Sequence, residues 1–167
     1  MSNQYIFYHD PERCIKCYAC EIACEQWHGI KAGTMKFRKV TETTTGTYPD
    51  VKRVFRSTAC LHCPRPRCIE ACAQGAISKR PEDGVVLVDR SKCTGCRACE
   101  EACPVHAPQF DEDGTMQKCD MCLDRIEKGQ TPFCVATCPT QALSWGRVEN
   151  LRAFTAGKKP GNKKSGC

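Results

Sequence analysis

No run of apolar residues in this chain approaches the roughly 18 that a membrane-spanning helix needs. The longest, such as 85–88, are strand-sized, so no direct membrane span is expected. Residues 1–12 do not read as a basic segment followed by an apolar one, and there is no twin arginine. The expectation is therefore a cytoplasmic protein, exported only alongside a signal-bearing partner. Also missing are a Gly-rich phosphate loop and any Ser/His/Asp set that could act as a catalytic constellation. At 167 residues the chain suffices for one or two small domains but not for a deep substrate cleft. Together these absences predict a chain that is not an enzyme by itself. The formal charge is +6, much of it in Lys158, Lys159, Lys163 and Lys164, within a Gly- and Pro-containing tail read as disordered over 156–167. A short solvated tail of that kind does not predict nucleic-acid binding.

Cysteine is what the chain has in excess. There are seventeen, which in a short exported protein would suggest a disulfide scaffold. A reducing compartment and the tight clustering of the residues argue against bridges. Sixteen of the cysteines fall into four groups. Cys14, Cys17, Cys20 and Cys24, and again Cys93, Cys96, Cys99 and Cys103, share the spacing C-x2-C-x2-C-x3-C, the run found in bacterial two-cluster ferredoxins. Cys60, Cys63, Cys68 and Cys72 read C-x2-C-x4-C-x3-C, and Cys119, Cys122, Cys134 and Cys138 read C-x2-C-x11-C-x3-C. Zinc is the competing reading for any C-x2-C pair. A third and a fourth cysteine so close behind leave thiolates that a tetrahedral ion cannot use. Cys167 stands outside the pattern and reads as a free thiol.

Three thiolates from seven consecutive residues can wrap one face of an iron–sulfur cube, whose fourth corner needs a distant cysteine. The fourth cysteine of the same run lies about one helical turn further on and serves the neighbouring cluster. Runs therefore work in pairs. Groups two and three, joined by a short hairpin, predict an inner ferredoxin module over 60–110. Groups one and four then pair around it as an outer module, 1–59 plus 111–155. The expected class is α+β: two nested bacterial-type modules, each with two [4Fe–4S] clusters, built from short hairpins and short helices. The expected ligand sets are Cys14, Cys17, Cys20 with Cys138 (first); Cys24 with Cys119, Cys122, Cys134 (second); Cys60, Cys63, Cys68 with Cys103 (third); and Cys72 with Cys93, Cys96, Cys99 (fourth). Several redox centres in one short chain make sense as a conduit for electrons.

Strand patterns and turn residues predict hairpins over 76–89 and 109–118, and a longer exposed one over about 35–58, which together with the tail is a candidate docking surface. Short helices are expected at 20–27, 68–74, 99–103 and 134–137, with a closing helix at 148–154. Every ligand position is filled by cysteine, so His9, His28, His62 and His106 read as hydrogen-bonding or surface residues. Arg67, Arg97, Lys118 and Arg125 lie next to ligand positions, where charge can raise a cluster's potential, although a solvated or interface role is as good a reading.

The segments RCIKCYACEIAC, CLHCPRPRCIEAC, KCTGCRACEEACPVHAPQF and KCDMCLDRIEKGQTPFCVATCPTQAL resemble the four-cluster subunit of dimethyl sulfoxide reductase-type enzymes, over residues 5 to about 152. The resemblance implies a ferredoxin-like electron-transfer subunit docked on a large catalytic subunit holding a molybdenum or tungsten pterin. It admits a third redox subunit, linked to flavin, haem or quinone, at the far end. It implies that the first cluster lies nearest the pterin, followed by the second, third and fourth. Some relatives replace the cysteine matching Cys96 and carry a three-iron cluster there; this chain keeps it, so four [4Fe–4S] clusters are expected. The small iron–sulfur subunit of a soluble tungsten or molybdenum aldehyde or formate oxidoreductase is the specific expectation, a tungsten aldehyde oxidoreductase among them. A free-standing polyferredoxin shuttle between redox enzymes is the alternative.

Overall fold

Cysteine-rich loops have little regular backbone to offer, and the computed structural model of the protein, which describes residues 3–150, is built from short elements. In chain order they are β1 (Tyr5–His9), α1 (Ala19–Trp27), β2 (Arg38–Thr45), β3 (Lys52–Ala59), α2 (Arg67–Glu70), β4 (Ile77–Lys79), β5 (Val86–Val88), α3 (Ala98–Glu101), β6 (Gln109–Phe110), β7 (Met116–Gln117), α4 (Leu123–Ile126), α5 (Phe133–Ala136) and β8 (Leu143–Arg147). A single 3₁₀ turn, Arg90–Lys92, starts at Asp89, whose side chain accepts from the Ser91 amide.

The three hairpins read from the sequence are present as the antiparallel pairs β2–β3, β4–β5 and β6–β7. Four of the helices open one residue ahead of the third cysteine of each group: α1 before Cys20, α2 before Cys68, α3 before Cys99 and α5 before Cys134. Helix α4, directly after Cys122, was not anticipated. The closing helix is helical over 148–150, and the remainder of 148–154 lies outside the described residues, as do the tail and Cys167.

One sheet joins the two ends of the described chain. β1 pairs antiparallel with β8, from Tyr5 opposite Arg147 to His9 opposite Leu143, and Tyr5 stacks on Trp145 with ring centroids 5.1 Å apart. The buried Gln4 carries this sheet onto the middle of the chain. Its amide nitrogen donates to the carbonyls of His62 (2.9 Å) and Gly84 (3.3 Å), while Tyr5 N–H donates to Asp83 O.

The core is divided among three small clusters, each containing cysteines. Cys24, Met35, Phe37, Cys60 and Cys119 form one; Cys20, Val40, Cys134 and Leu143 a second; Ile77, Val86, Cys99 and Met116 a third. The β2–β3 hairpin departs from the expectation of an exposed insertion. Its tip is in solvent, but Phe37, Arg38, Val40 and Ser57 at its base are buried. The reason is α1, whose buried Glu21 accepts from the Val40 amide at 2.8 Å and pairs with Lys36.

Glu21→Ala is expected to leave the Val40 amide without its acceptor and to cost about 1–3 kcal/mol of stability. Anaerobic urea unfolding measures this, and Glu21→Gln, which keeps an acceptor oxygen, should lose clearly less.

Candidate metal centres

Each C-x2-C pair closes on the same backbone turn. The residue just before the second cysteine sits in the left-handed region in all four: Lys16 (φ 58°), His62 (φ 45°), Gly95 (φ 69°) and Met121 (φ 65°). Three of the four carry a side chain that disfavours this conformation, so the surrounding structure imposes it. The two identical runs repeat it once more, at Tyr18 (φ 60°) and Arg97 (φ 64°), directly ahead of α1 and α3. Left-handed residues at these positions reverse the chain's direction and can turn successive thiols and amides toward one point. Accordingly Met121 N–H lies 3.4 Å from Cys119 Sγ and Met116 N–H 3.3 Å from Cys93 Sγ.

The sulfurs gather in four places. One hollow of about 320 Å³ is lined by Cys14, Cys17, Cys20 and Cys138, with His9, Val40 and Leu143 behind them. Another of about 650 Å³ is lined by Cys60, Cys63, Cys68 and Cys103. A third of about 350 Å³ is lined by Cys72, Cys93, Cys96 and Cys99, closed by Ile77, Phe110 and Met116. Cys24, Cys119, Cys122 and Cys134 are all buried. They act on one another electrically: Cys24 feels Cys134 and Cys122, and Cys119 feels Cys24 and Cys134. The three hollows each draw three cysteines from one run and one from another, and none of the sixteen described cysteines is in a disulfide.

The donor set suits an iron–sulfur cube better than a single ion. Four sulfurs around one zinc would stand about 3.8 Å apart, given Zn–S bonds of roughly 2.3 Å. Among the described residues no three cysteines come within 4.8 Å of one another; the one group that does is His28, Asp120 and Cys122. The thiols also need a cation. Burial first, and neighbouring thiols after it, push Cys99 up to about 11 and Cys122 up to about 12, and lift Cys24 and Cys119 further. Without bound metal these sulfurs stay protonated; bound iron removes both penalties by supplying positive charge among them. Cys138 differs. Burial opposes its thiolate, but the Leu143, Ala142 and Thr140 amides and the Thr140 hydroxyl outweigh it and hold the thiol below its usual value.

The residues flagged beside the ligands separate into two kinds. Arg67 and Arg97 are exposed, Arg97 lying over the Phe110 ring at 4.3 Å and pairing with Glu100. Arg125 is half-buried on Trp27 and donates to Thr131 O at 2.8 Å. Lys118 is buried, donating to the carbonyls of Val86 and Cys119, and its charge lowers the Cys68 thiol against the effect of burial. His62 is fully buried and held neutral by burial and then by Lys118 and Lys79; its Nδ1 accepts from the Val86 amide at 2.9 Å. His28 places Nε2 3.7 Å from Cys122 Sγ and 3.5 Å from the Asp120 carboxylate. Sequence reading missed Arg38, which is buried between two of the thiol sets.

Clustered thiols on short loops define a ferredoxin-type iron–sulfur protein, and comparison with known proteins agrees. Residues 51–148 match the family model of the 4Fe-4S dicluster domain, and residues 7–26 that of the 4Fe-4S binding domain. The sequence is 40% identical to a chain of the anaerobic dimethyl sulfoxide reductase of Escherichia coli strain K12, over 91% of this protein and 78% of that one. It is 37% identical to the thiosulfate reductase electron transfer subunit PhsB of Salmonella typhi, over 89% and 79%. It is also 37% identical to a subunit of the sulfite dehydrogenase of Allochromatium vinosum, over 84% and 68%. The protein belongs to this family, the iron–sulfur subunits of dimethyl sulfoxide reductase-type enzymes.

Gly95→Ala is expected to disturb one site selectively. Its Cβ would meet Gly114 O at 2.6 Å in a conformation, φ +69°, that already strains an L residue. The cost should be about 1–3 kcal/mol, with iron lost first from the hollow lined by Cys72, Cys93, Cys96 and Cys99. Iron per chain, together with the spectrum of the remaining clusters, checks this.

Proposed function

We propose that this chain is a non-catalytic electron-transfer subunit, holding four [4Fe–4S] clusters and relaying electrons to or from a molybdenum- or tungsten-pterin catalytic subunit. The ligand sets proposed are Cys14, Cys17, Cys20 and Cys138; Cys24, Cys119, Cys122 and Cys134; Cys60, Cys63, Cys68 and Cys103; and Cys72, Cys93, Cys96 and Cys99. Three of these line one hollow each, which supports the cross-pairing of runs. A cluster of this kind, when bound, accepts and returns single electrons at a potential set by its surroundings.

The observation that carries the function is continuity. The first set borders the second where Cys20 packs in one cluster with Cys134, the second borders the third where Cys119 packs in one cluster with Cys60, and the third borders the fourth where Cys68 packs against the cluster of Cys99. A catalytic site needs one centre with room for substrate, whereas a succession of neighbouring redox sites without a break serves conduction between two surfaces. The nested modules, 60–110 within 1–59 and 111–155, are supported by the β1–β8 pairing, which closes the chain around its own middle. The pterin partner is proposed on the family membership, at the end of the line nearest the first set. A third redox subunit would take the other end.

Among the described residues no helix is long and apolar enough to cross a membrane. Assembly in the cytoplasm is proposed, since thiols load iron in a reducing environment, and export alongside a signal-bearing partner is compatible with it.

Anaerobically purified protein should be brown and hold about sixteen iron and sixteen sulfide per chain; a colourless zinc protein would end this reading. A tagged chain from native cells should bring a large pterin subunit with it, and recovery of the loaded chain alone would favour a free shuttle. Cys24→Ser should perturb the cluster built on Cys119, Cys122 and Cys134, and a change confined to the Cys14 set would overturn the cross-pairing.

A further inference from the structure

Arg38 is 2% exposed, and among the described residues no carboxylate pairs with it. Its Nη1 donates to Ser57 Oγ at 3.1 Å, and that hydroxyl lies 3.4 Å from Cys20 Sγ. Its guanidinium carbon stands 4.7 Å from the Phe7 ring centroid. Nε and Nη2 are buried without a partner in good hydrogen-bond geometry, and the Cys134 sulfur is the side chain near enough to receive one. A guanidinium stripped of water with two donor groups unserved is severely unfavourable unless negative charge is close at hand. Thiols are what surround it. Burial works against its charge, and only negative charge on the neighbouring sulfurs, Cys134 first, then Cys119 and Cys20, works for it.

We propose that Arg38 is a fixed counter-charge shared by the first two thiol sets, its unserved N–H groups donating to sulfur there, and that it raises the reduction potentials of both sites. This rests on the ligand sets proposed above. The sign follows from Coulomb's law: reduction adds negative charge to a site, and a nearby fixed cation favours the more negative state. Arg38 bears on Cys24, Cys119 and Cys134 of the second set and, through Ser57, on Cys20 of the first. Both sites should respond. Arg38 is a tuning residue that never meets substrate.

The test is potentiometric titration of the full chain followed by electron paramagnetic resonance, with signals assigned through the Cys→Ser variants. In loaded Arg38→Gln protein the first and second sites should each become about tenfold harder to reduce, a fall of about 59 mV for a one-electron couple. The third and fourth should hold, and Arg38→Lys should restore most of the loss. Four unmoved potentials, or an equal shift in all four, would overturn the proposal. If Arg38→Gln loses iron from the first two sites, Arg38→Lys decides. Loading with potentials near those of the unaltered chain supports the counter-charge, and failure to load makes Arg38 a packing strut and refutes it. Unaltered protein without iron would instead sink the function proposed above.

Discussion

Sulfur atoms that must be negative to do their work are here held side by side and out of water, and most of the structure answers that difficulty. Burial pushes the thiols toward protonation, and their mutual repulsion adds to it. Metal charge at the centre of each set is the first remedy. Backbone amides aimed at sulfur are the second, seen at Cys119, Cys93 and Cys103. Buried cations are the third, with Lys118 bearing on Cys68 and Arg38 on Cys20, Cys24 and Cys119.

Secondary structure is subordinate to this arrangement. Helices of four residues and strands of two or three contribute little stability of their own. They position the next cysteine. The left-handed turn before the second thiol of every pair is the clearest case, because it recurs with lysine, histidine, glycine and methionine at the same place. A conformation reached by four such different side chains is dictated by where the sulfurs must point.

Much of this was legible beforehand, for local reasons. Cysteine spacing is a local signal, and so are the turn residues of the 76–89 and 109–118 hairpins and the helices at the third cysteine of each run. What was not legible depended on partners distant in the chain. Residues 5–9 look unremarkable until 143–147 lies beside them. Arg38 reads as one more basic residue on a hairpin of solvent-facing charges, although its alternation with Val40 on one face was visible. Burial of that face required α1 to dock through Glu21.

The sequence alone determined the chemistry: the number of sulfurs, their grouping and the kind of cofactor they suit, because three ligands of a cluster come from a few adjacent residues. Tertiary structure decided which sets lie next to which, and which charges are sealed in beside them. Those depend on folding one end of the chain against the other, and a spacing pattern carries no record of which charges end up out of water.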